Sequence, residues 1–572
     1  MKPPAASRVR PGGPVVRRPP VVAVPAVLSL VACTPAEVPA PQQPTTAATE
    51  GGGAAELSTF TFGTAADPRT LDPALANDTE SYRVTQQIME GLTGVDPLTS
   101  EPVPLLAESW EQGDGGRSYE FDLREDVVFH DGTPFTARAV CTNFDRWYEL
   151  PSEARGTARL PFENVFRAYS DQPELSLYQG CSATSEYTAE IRLASPVTGL
   201  LSALASPAFA IASPAALEAE TADVLSETRD SGAVSRYGLA PVGTGPFVLE
   251  DWQAGRVDLR FFDAYWGERG DIDEVVFTTI SNPDSRARAL TSGRIDGYDF
   301  VSVESAGDLA RNGLQFLQRD PYSVLYLGLN QDFPGVDDLL FRQAVAHAID
   351  KNALIDGRFL NGTRSTSQFI PQKLGVGTED VEDYGYDPEL AGELLEQSGY
   401  DGRPLPFYYP RNVSRPYLPS PEKVYAELSR QLTEAGFTIQ PVPVQWSDDY
   451  LDTVQREGDR AFHLLGWSGS YQDPDNFVGA LFGSTSAEFG YSDPQLVSKI
   501  NRARGLSEGD DRRAAYADIS AQLSRRIPAV PLAFPISALA MGPRVISYPT
   551  SPVMNEVFNR IDLDTSVPAR PE

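Results

Sequence analysis

The sequence predicts an α/β protein of more than one domain, held behind an export segment. Three observations predict this. Residues 405–409, 420–435 and 437–444 read as strand, helix, strand, a unit that joins parallel strands. The chain has 572 residues, too many for one simple core, so two or three domains are expected. A basic start followed by a short apolar run and a low-complexity stretch precedes all of it.

The export segment comes first. Arg8, Arg10, Arg17 and Arg18 precede an apolar run from Val21 to Ala32. The run is too short to span a bilayer as a helix and reads as a secretory signal, residues 1–32. It ends in Leu30-Val31-Ala32-Cys33, which resembles the lipobox of bacterial lipoproteins. That resemblance implies cleavage before Cys33 and a diacylglycerol on its sulfur. Residues 33–56 are mostly Pro, Ala, Thr, Gln and Gly, with too little apolar bulk to fold, and read as a flexible tether.

The body then alternates between strand and helix signals. Phe60 and Phe62 face one way and Thr59 and Thr61 the other, a strand followed by the polar run Asn77-Asp78-Thr79-Glu80-Ser81. Tyr119, Phe121 and Leu123 form a second half-buried strand. Thr136 reads as the cap of a helix through Trp147. Cys141 and Cys181 are the only cysteines besides Cys33. In an exported chain they can pair, closing a loop worth roughly 3–4 kcal/mol, or stay as two buried thiols.

Signals are weak over 151–239, apart from a strand at 187–193 and a short helix at 214–220. The turn Pro241 to Phe247 feeds strands at 247–251, 257–262 and 275–280. It is no phosphate loop, because it lacks the Lys-Ser/Thr end and strands follow it. A helix at 284–290, a return to the sheet at Arg294 to Asp299, and a strand at 324–330 come next. Phe341, Ala344, Val345, Ala348 and Ile349 share one helix face. Asp387-Pro388 opens another helix, which stops at Gly399. In the helix 420–435, Val424, Leu428, Leu432 and Ala435 share a face, Pro421 lies in the first turn, and Gly436 follows the end.

The stretch Gly466-Trp467-Ser468-Gly469-Ser470-Tyr471-Gln472-Asp473-Pro474-Asp475-Asn476-Phe477 follows an apolar strand at 461–465. Small residues admit a ligand to the backbone, and Trp and Tyr offer stiff contact area with a polar edge. The alternative is a surface turn holding two aromatics. Chemistry-bearing residues are otherwise scarce. His130, His347 and His463 are the three histidines, none at metal spacing from another, so neither a metal site nor a cofactor is expected. Gly466 to Ser470 approaches a nucleophile elbow but lacks the final Gly, and no enzyme activity is expected. The net charge of −32, with 79 acidic against 47 basic residues, repels nucleic acid and anionic lipid.

Several segments, in order, make the chain similar to the family 5 extracellular solute-binding proteins of ABC importers, the oligopeptide, dipeptide and nickel class. They are Leu71-Asp72-Pro73 with Glu90-Gly91-Leu92; Leu105 to Trp110; Phe129 to Phe135; Gly243 to Phe247; Arg286 to Asp296; Phe341 to Lys351; and Gly466 to Phe477. The resemblance covers nearly all of 57–560. It implies a two-lobed periplasmic-binding-protein-like α/β fold with a hinge and an extra inserted small domain. The expected boundaries are lobe I at 57–99 and 241–318, the inserted domain at 100–240, lobe II at 319–529, and a return to lobe I with a C-terminal tail at 530–572.

The resemblance also implies a function: capture of a solute between the lobes and delivery to permease and ATPase subunits at the extracytoplasmic face. A peptide is the first expectation. A sugar, blocked peptide or metal-chelate, or a ligand-sensing surface receptor, are the alternatives. A tethered monomer is expected. The ligand-binding residues carried over are Asn77, Asp78, Thr79, Gly466, Trp467, Ser468, Ser470, Tyr471 and Asp473. In peptide-binding members an Asp in the second segment grips the α-ammonium, and that position here is Ser470. Asp473, Asp475 and Asp78 are the candidates to replace it. The few histidines argue against a nickel role, and His463 reads as lying behind the wall.

Overall fold

The computed structural model of the protein describes residues 57–567 except 156–159, 226, 230, 231, 448, 449, 457 and 565. The expected signal, Cys33 and the tether lie outside the described residues.

Two mixed sheets form the body. The first has seven strands in the order Phe247–Gln253, Arg256–Phe261, Glu274–Thr279, Thr59–Thr64, Gly297–Asp299, Ser537–Met541, Gln315–Arg319. Thr59–Thr64 lies at its centre and pairs in parallel with both neighbours. Its Phe60 and Phe62 are fully buried on the face that the alternation predicts. The second sheet has six strands in the order Arg364–Ser365, Ala529–Phe534, Ser323–Leu329, Phe462–Ser468, Leu405–Arg411, Ile439–Gln445. Every residue of Ser323–Leu329 is buried, as a strand covered on both faces must be. Leu405–Arg411 and Ile439–Gln445 run parallel across the helix Pro421–Glu434, so the strand–helix–strand unit is present.

A four-stranded antiparallel sheet (Ala107–Gly113, Ser118–Leu123, Thr188–Leu193, Tyr178–Ala183) belongs to the inserted domain. Helix Ala137–Glu149 packs on it, and a Cys141–Cys181 disulfide ties this helix to the edge strand. Aromatic packing around Phe144, Trp147, Phe166 and Tyr178 fills the core beneath.

The chain passes between the two large sheets twice, from Arg319 to Ser323 and from Phe534 to Ser537. The second passage comes later than the expected boundary at 529, because Ala529–Phe534 stays bonded to Ser323–Leu329. A buried charge cluster stands at the first passage. Arg319 donates to both oxygens of Glu556, at 2.7 and 2.6 Å, and Arg83 pairs with Asp299. Tyr548 adds its hydroxyl to Glu556 at 2.8 Å. Paired geometry of this kind offsets the desolvation that four buried charges incur.

Candidate functional site

A cavity of about 210 Å³ lies where lobe I, lobe II and the inserted domain meet. Three parallel strands of lobe II, Leu405–Arg411, Ile439–Gln445 and Phe462–Ser468, end at it. Arg415, Trp446 and Trp467 therefore enter from the carboxyl ends of strands, the usual place for a ligand in an α/β sheet.

Lobe I contributes one helix. Asp78 caps helix Thr79–Ile88: its Oδ1 accepts the Ser81 N–H at 2.9 Å and its Oδ2 accepts the Ser81 hydroxyl at 2.6 Å. The cap sets the direction of the helix. Thr79, Tyr82, Arg83 and Gln86, at helical spacing, then line the cavity beside Asn77 and Asp78. Arg83 is neutralised from behind by Asp299 and Glu556.

Lobe II contributes the aromatic wall. A Cβ on Gly466 would stand 2.3 Å from Tyr417 Cγ and 2.6 Å from the Val324 carbonyl, so only glycine lets that ring close against the strand. Gly469 does the same for Tyr322 and Phe477. Trp467 Nε1 and Ser468 Oγ have no hydrogen-bond partner in the wall. Tyr471 lines the cavity and packs its ring into the core of the inserted domain. Its carbonyl accepts from Tyr322 and Asn476 at 3.0 and 2.9 Å. The inserted domain closes the third side with Pro161, Asn164 and Val165.

All but one of the residues expected to touch ligand line this cavity; the exception is Asp473. The reason is its charge. Asp473 accepts two hydrogen bonds from Arg512, at 2.9 and 2.7 Å, and one from the Asp475 N–H at 2.7 Å. Burial, with Asp475 nearby, pushes its carboxyl up to about 6 while Arg512 opposes this. Asp475 in turn pairs with Arg504. Arg504 also donates to the carbonyls of Val165 and Asn164 in the inserted domain, both at 2.9 Å. Asp475 thus supports, through Arg504, a contact with the inserted domain, Asp473 is held within lobe II by Arg512, and neither supplies a carboxylate to the cavity. Asp475 further opens a helix, Asp475–Phe482, within the stretch that reads as a binding wall or turn.

Sequence reasoning missed the charged residues of lobe II. Arg415 is buried, donates through Nη1 to Glu80 of lobe I, and stacks 4.0 Å from the centre of the Trp446 ring. Its Nε and Nη2 have no hydrogen-bond partner among the described residues. Glu488 also lines the cavity. Its Oε1 accepts from the Tyr326 hydroxyl at 2.8 Å and from His463 Nε2 at 2.9 Å. His463 is fully buried, and burial depresses its imidazole while the Glu488 carboxylate opposes this. The polar loop after strand Leu405–Arg411 was a readable signal for Arg415. Glu488 sits in an irregular segment and gave none.

The sequence profile of the bacterial extracellular solute-binding proteins, family 5, matches residues 101–489. The chain belongs to this family. Heme-binding protein A of Haemophilus influenzae is 27% identical over 89% of this chain and 92% of its own. The dipeptide-binding protein of Escherichia coli is 26% identical over 87% and 92%. Among solved structures, the periplasmic binding protein DppA from Helicobacter pylori, in complex with the peptide STSA, superposes with a TM-score of 0.78 at 24% identity. That match covers 89% of this chain and 98% of the other. The family 5 fold of two lobes around a cleft is therefore the fold of this protein. Binding, not bond-making, is the task that the relatives' names describe. No helix among the described residues is long and apolar enough to cross a membrane.

Proposed function

We propose that this family 5 protein captures a small peptide between its lobes and presents it to an ABC permease and its ATPase, anchored to the extracytoplasmic face through a lipidated Cys33. One observation carries the ligand class. The cavity holds a buried guanidinium, Arg415, with two nitrogens unpartnered among the described residues, beside an aromatic ring. A planar fork of donors suits a carboxylate. At about 210 Å³ the cavity falls below the range of roughly 300–1,000 Å³ usual for drug-sized ligands. A short peptide suits that volume better than a haem macrocycle does. A dipeptide-binding relative and a peptide-bound fold neighbour support the same class.

Closure follows from linkage. Glu80 of lobe I and Arg415 of lobe II already form an interlobe ion pair, so a ligand carboxylate on Arg415 binds only where the lobes meet. A ligand that contacts both lobes stabilises the closed state by its differential affinity for it. Native mass spectrometry of the protein purified from its host, without denaturation, tests the reading. Retained masses that differ by amino-acid residues are expected. A single non-peptide mass rejects the peptide assignment and moves the choice to a sugar, blocked peptide or chelate.

A further inference from the structure

We infer that Glu488 is the carboxylate that receives a cationic group of the ligand, taking over the task that position 470 cannot perform here. The inference rests on the reading of the cavity as a peptide site, and it deepens that reading by requiring a ligand with a free ammonium.

Elimination leads to Glu488 first. Ser470 carries no charge. Asp473 and Asp475 are tied to Arg512 and Arg504 and do not line the cavity. Asp78 lines it, but both of its oxygens serve Ser81 at the helix cap.

Geometry then supports the assignment. The Glu488 side chain is only 9% exposed. Both of its donors, Tyr326 and His463, reach Oε1, and among the described residues none reaches Oε2. The nearby guanidinium, Arg460, gives its Nη2 to the backbone carbonyls of Ala487 and Glu488, at 3.0 and 2.6 Å, and forms no ion pair with the carboxylate. A carboxylate is thus buried against a ligand cavity, with Tyr326 and His463 on Oε1, Arg460 acting on it only at a distance, and no hydrogen-bonded cation on Oε2 among the described residues. Such a charge is costly unless something pairs with it. The orienting device is itself built in. A Cβ on Gly328 would stand 1.9 Å from His463 Cε1, so glycine there makes room for the ring that holds Glu488. With Arg415 taking the anionic end, the cavity carries one site for each end of a zwitterion.

The test is calorimetric titration of the protein with Ala-Leu and with N-acetyl-Ala-Leu, for the wild type, Glu488→Gln and the double variant Glu488→Gln/Ser470→Asp. Pairing a charged group by hydrogen bonds corresponds to roughly tenfold or more in affinity. The wild type is expected to prefer the free dipeptide at least tenfold, and Glu488→Gln to lose that preference while keeping its affinity for the acetylated form. Adding Ser470→Asp to Glu488→Gln is expected to restore it, which a merely misfolded variant would not do. Equal loss for both ligands, or an unchanged preference, overturns the role of Glu488. If the wild type binds neither dipeptide, the peptide reading fails separately. The molecules released on denaturing wild type and Glu488→Gln from the host then decide. A cationic molecule held by the wild type and lost from the variant sustains Glu488. Absence of a cationic molecule from the wild type, or equal retention by both, overturns it.

Discussion

At the scale of single residues, the site separates carboxylates that hold the protein together from those offered to a ligand. Asp473 and Ser470 stand three positions apart in one loop. Asp473 faces Arg512, while Ser470 faces the cavity. An Asp has the same chemistry whether it grips an ammonium or a guanidinium. Its partner here is 39 residues away in sequence, so the expectation that Asp473 touches ligand failed for want of that pairing. Arg415 yields a sharp prediction. Arg415→Lys keeps the charge facing Glu80 but replaces a planar fork with a point charge. Peptide affinity should fall about tenfold or more in a titration, with little change in the thermal midpoint. Gly466 predicts the reverse balance. Gly466→Ala forces Tyr417 or the neighbouring strand to shift, which should cost about 1–3 kcal/mol in denaturant unfolding and weaken binding as well.

At the scale of elements, the regular parts were legible because their signals are local. Pro421 and Gly436 bracket a helix whose apolar face repeats at 3.6 residues, and the structure has that helix as Pro421–Glu434. Strand Phe462–Ser468 runs further than expected, because Gly466 and Trp467 pair with Leu325 and Val324 in the next strand. A ladder between distant segments leaves no mark on either sequence alone. The inserted domain provides a stability prediction. Its disulfide closes a loop with a sequence separation of 40. Replacing Cys141 and Cys181 with Ser should destabilise by about 4 kcal/mol in the chain-entropy picture, measured by urea unfolding.

The junction of lobe I with the inserted domain provides a pH prediction. Among the described residues, the Glu90 carboxylate accepts from neutral donors, Thr244, Tyr265 and Trp266, at 2.8–2.9 Å. Burial raises its carboxyl from 4.5 to about 7. A raised folded pKa gives stability that is present below 4.5 and lost as pH rises through 7. The loss across that window is about 3 kcal/mol. Glu90→Gln should flatten this part of the profile of thermal midpoint against pH.

At the scale of the whole molecule, two charged contacts bridge the parts that meet at the cavity. Glu80–Arg415 joins lobe I to lobe II across the cavity, and Arg504 joins lobe II to the carbonyls of the inserted domain. The inserted domain is therefore tied to lobe II beside the cavity, which the ordered family segments did not reveal, since Arg504 meets Asn164 only in the folded chain. The overall plan was readable from those segments because they recur in the order of the family, across helices, strands and turns alike. The second passage between the sheets was placed early, because strand Ala529–Phe534 is apolar throughout and suits either sheet.

Enclosure of a small peptide between Arg415 and Glu488 can be seen directly. The most direct measurement is a crystal structure of the protein with the ligand it retains from its host, or with a bound dipeptide. Density is expected in the cavity, with a carboxylate on Arg415 Nε and Nη2 and an ammonium on Glu488 Oε2. A ligand bound elsewhere, or one whose charged ends avoid both side chains, would contradict it.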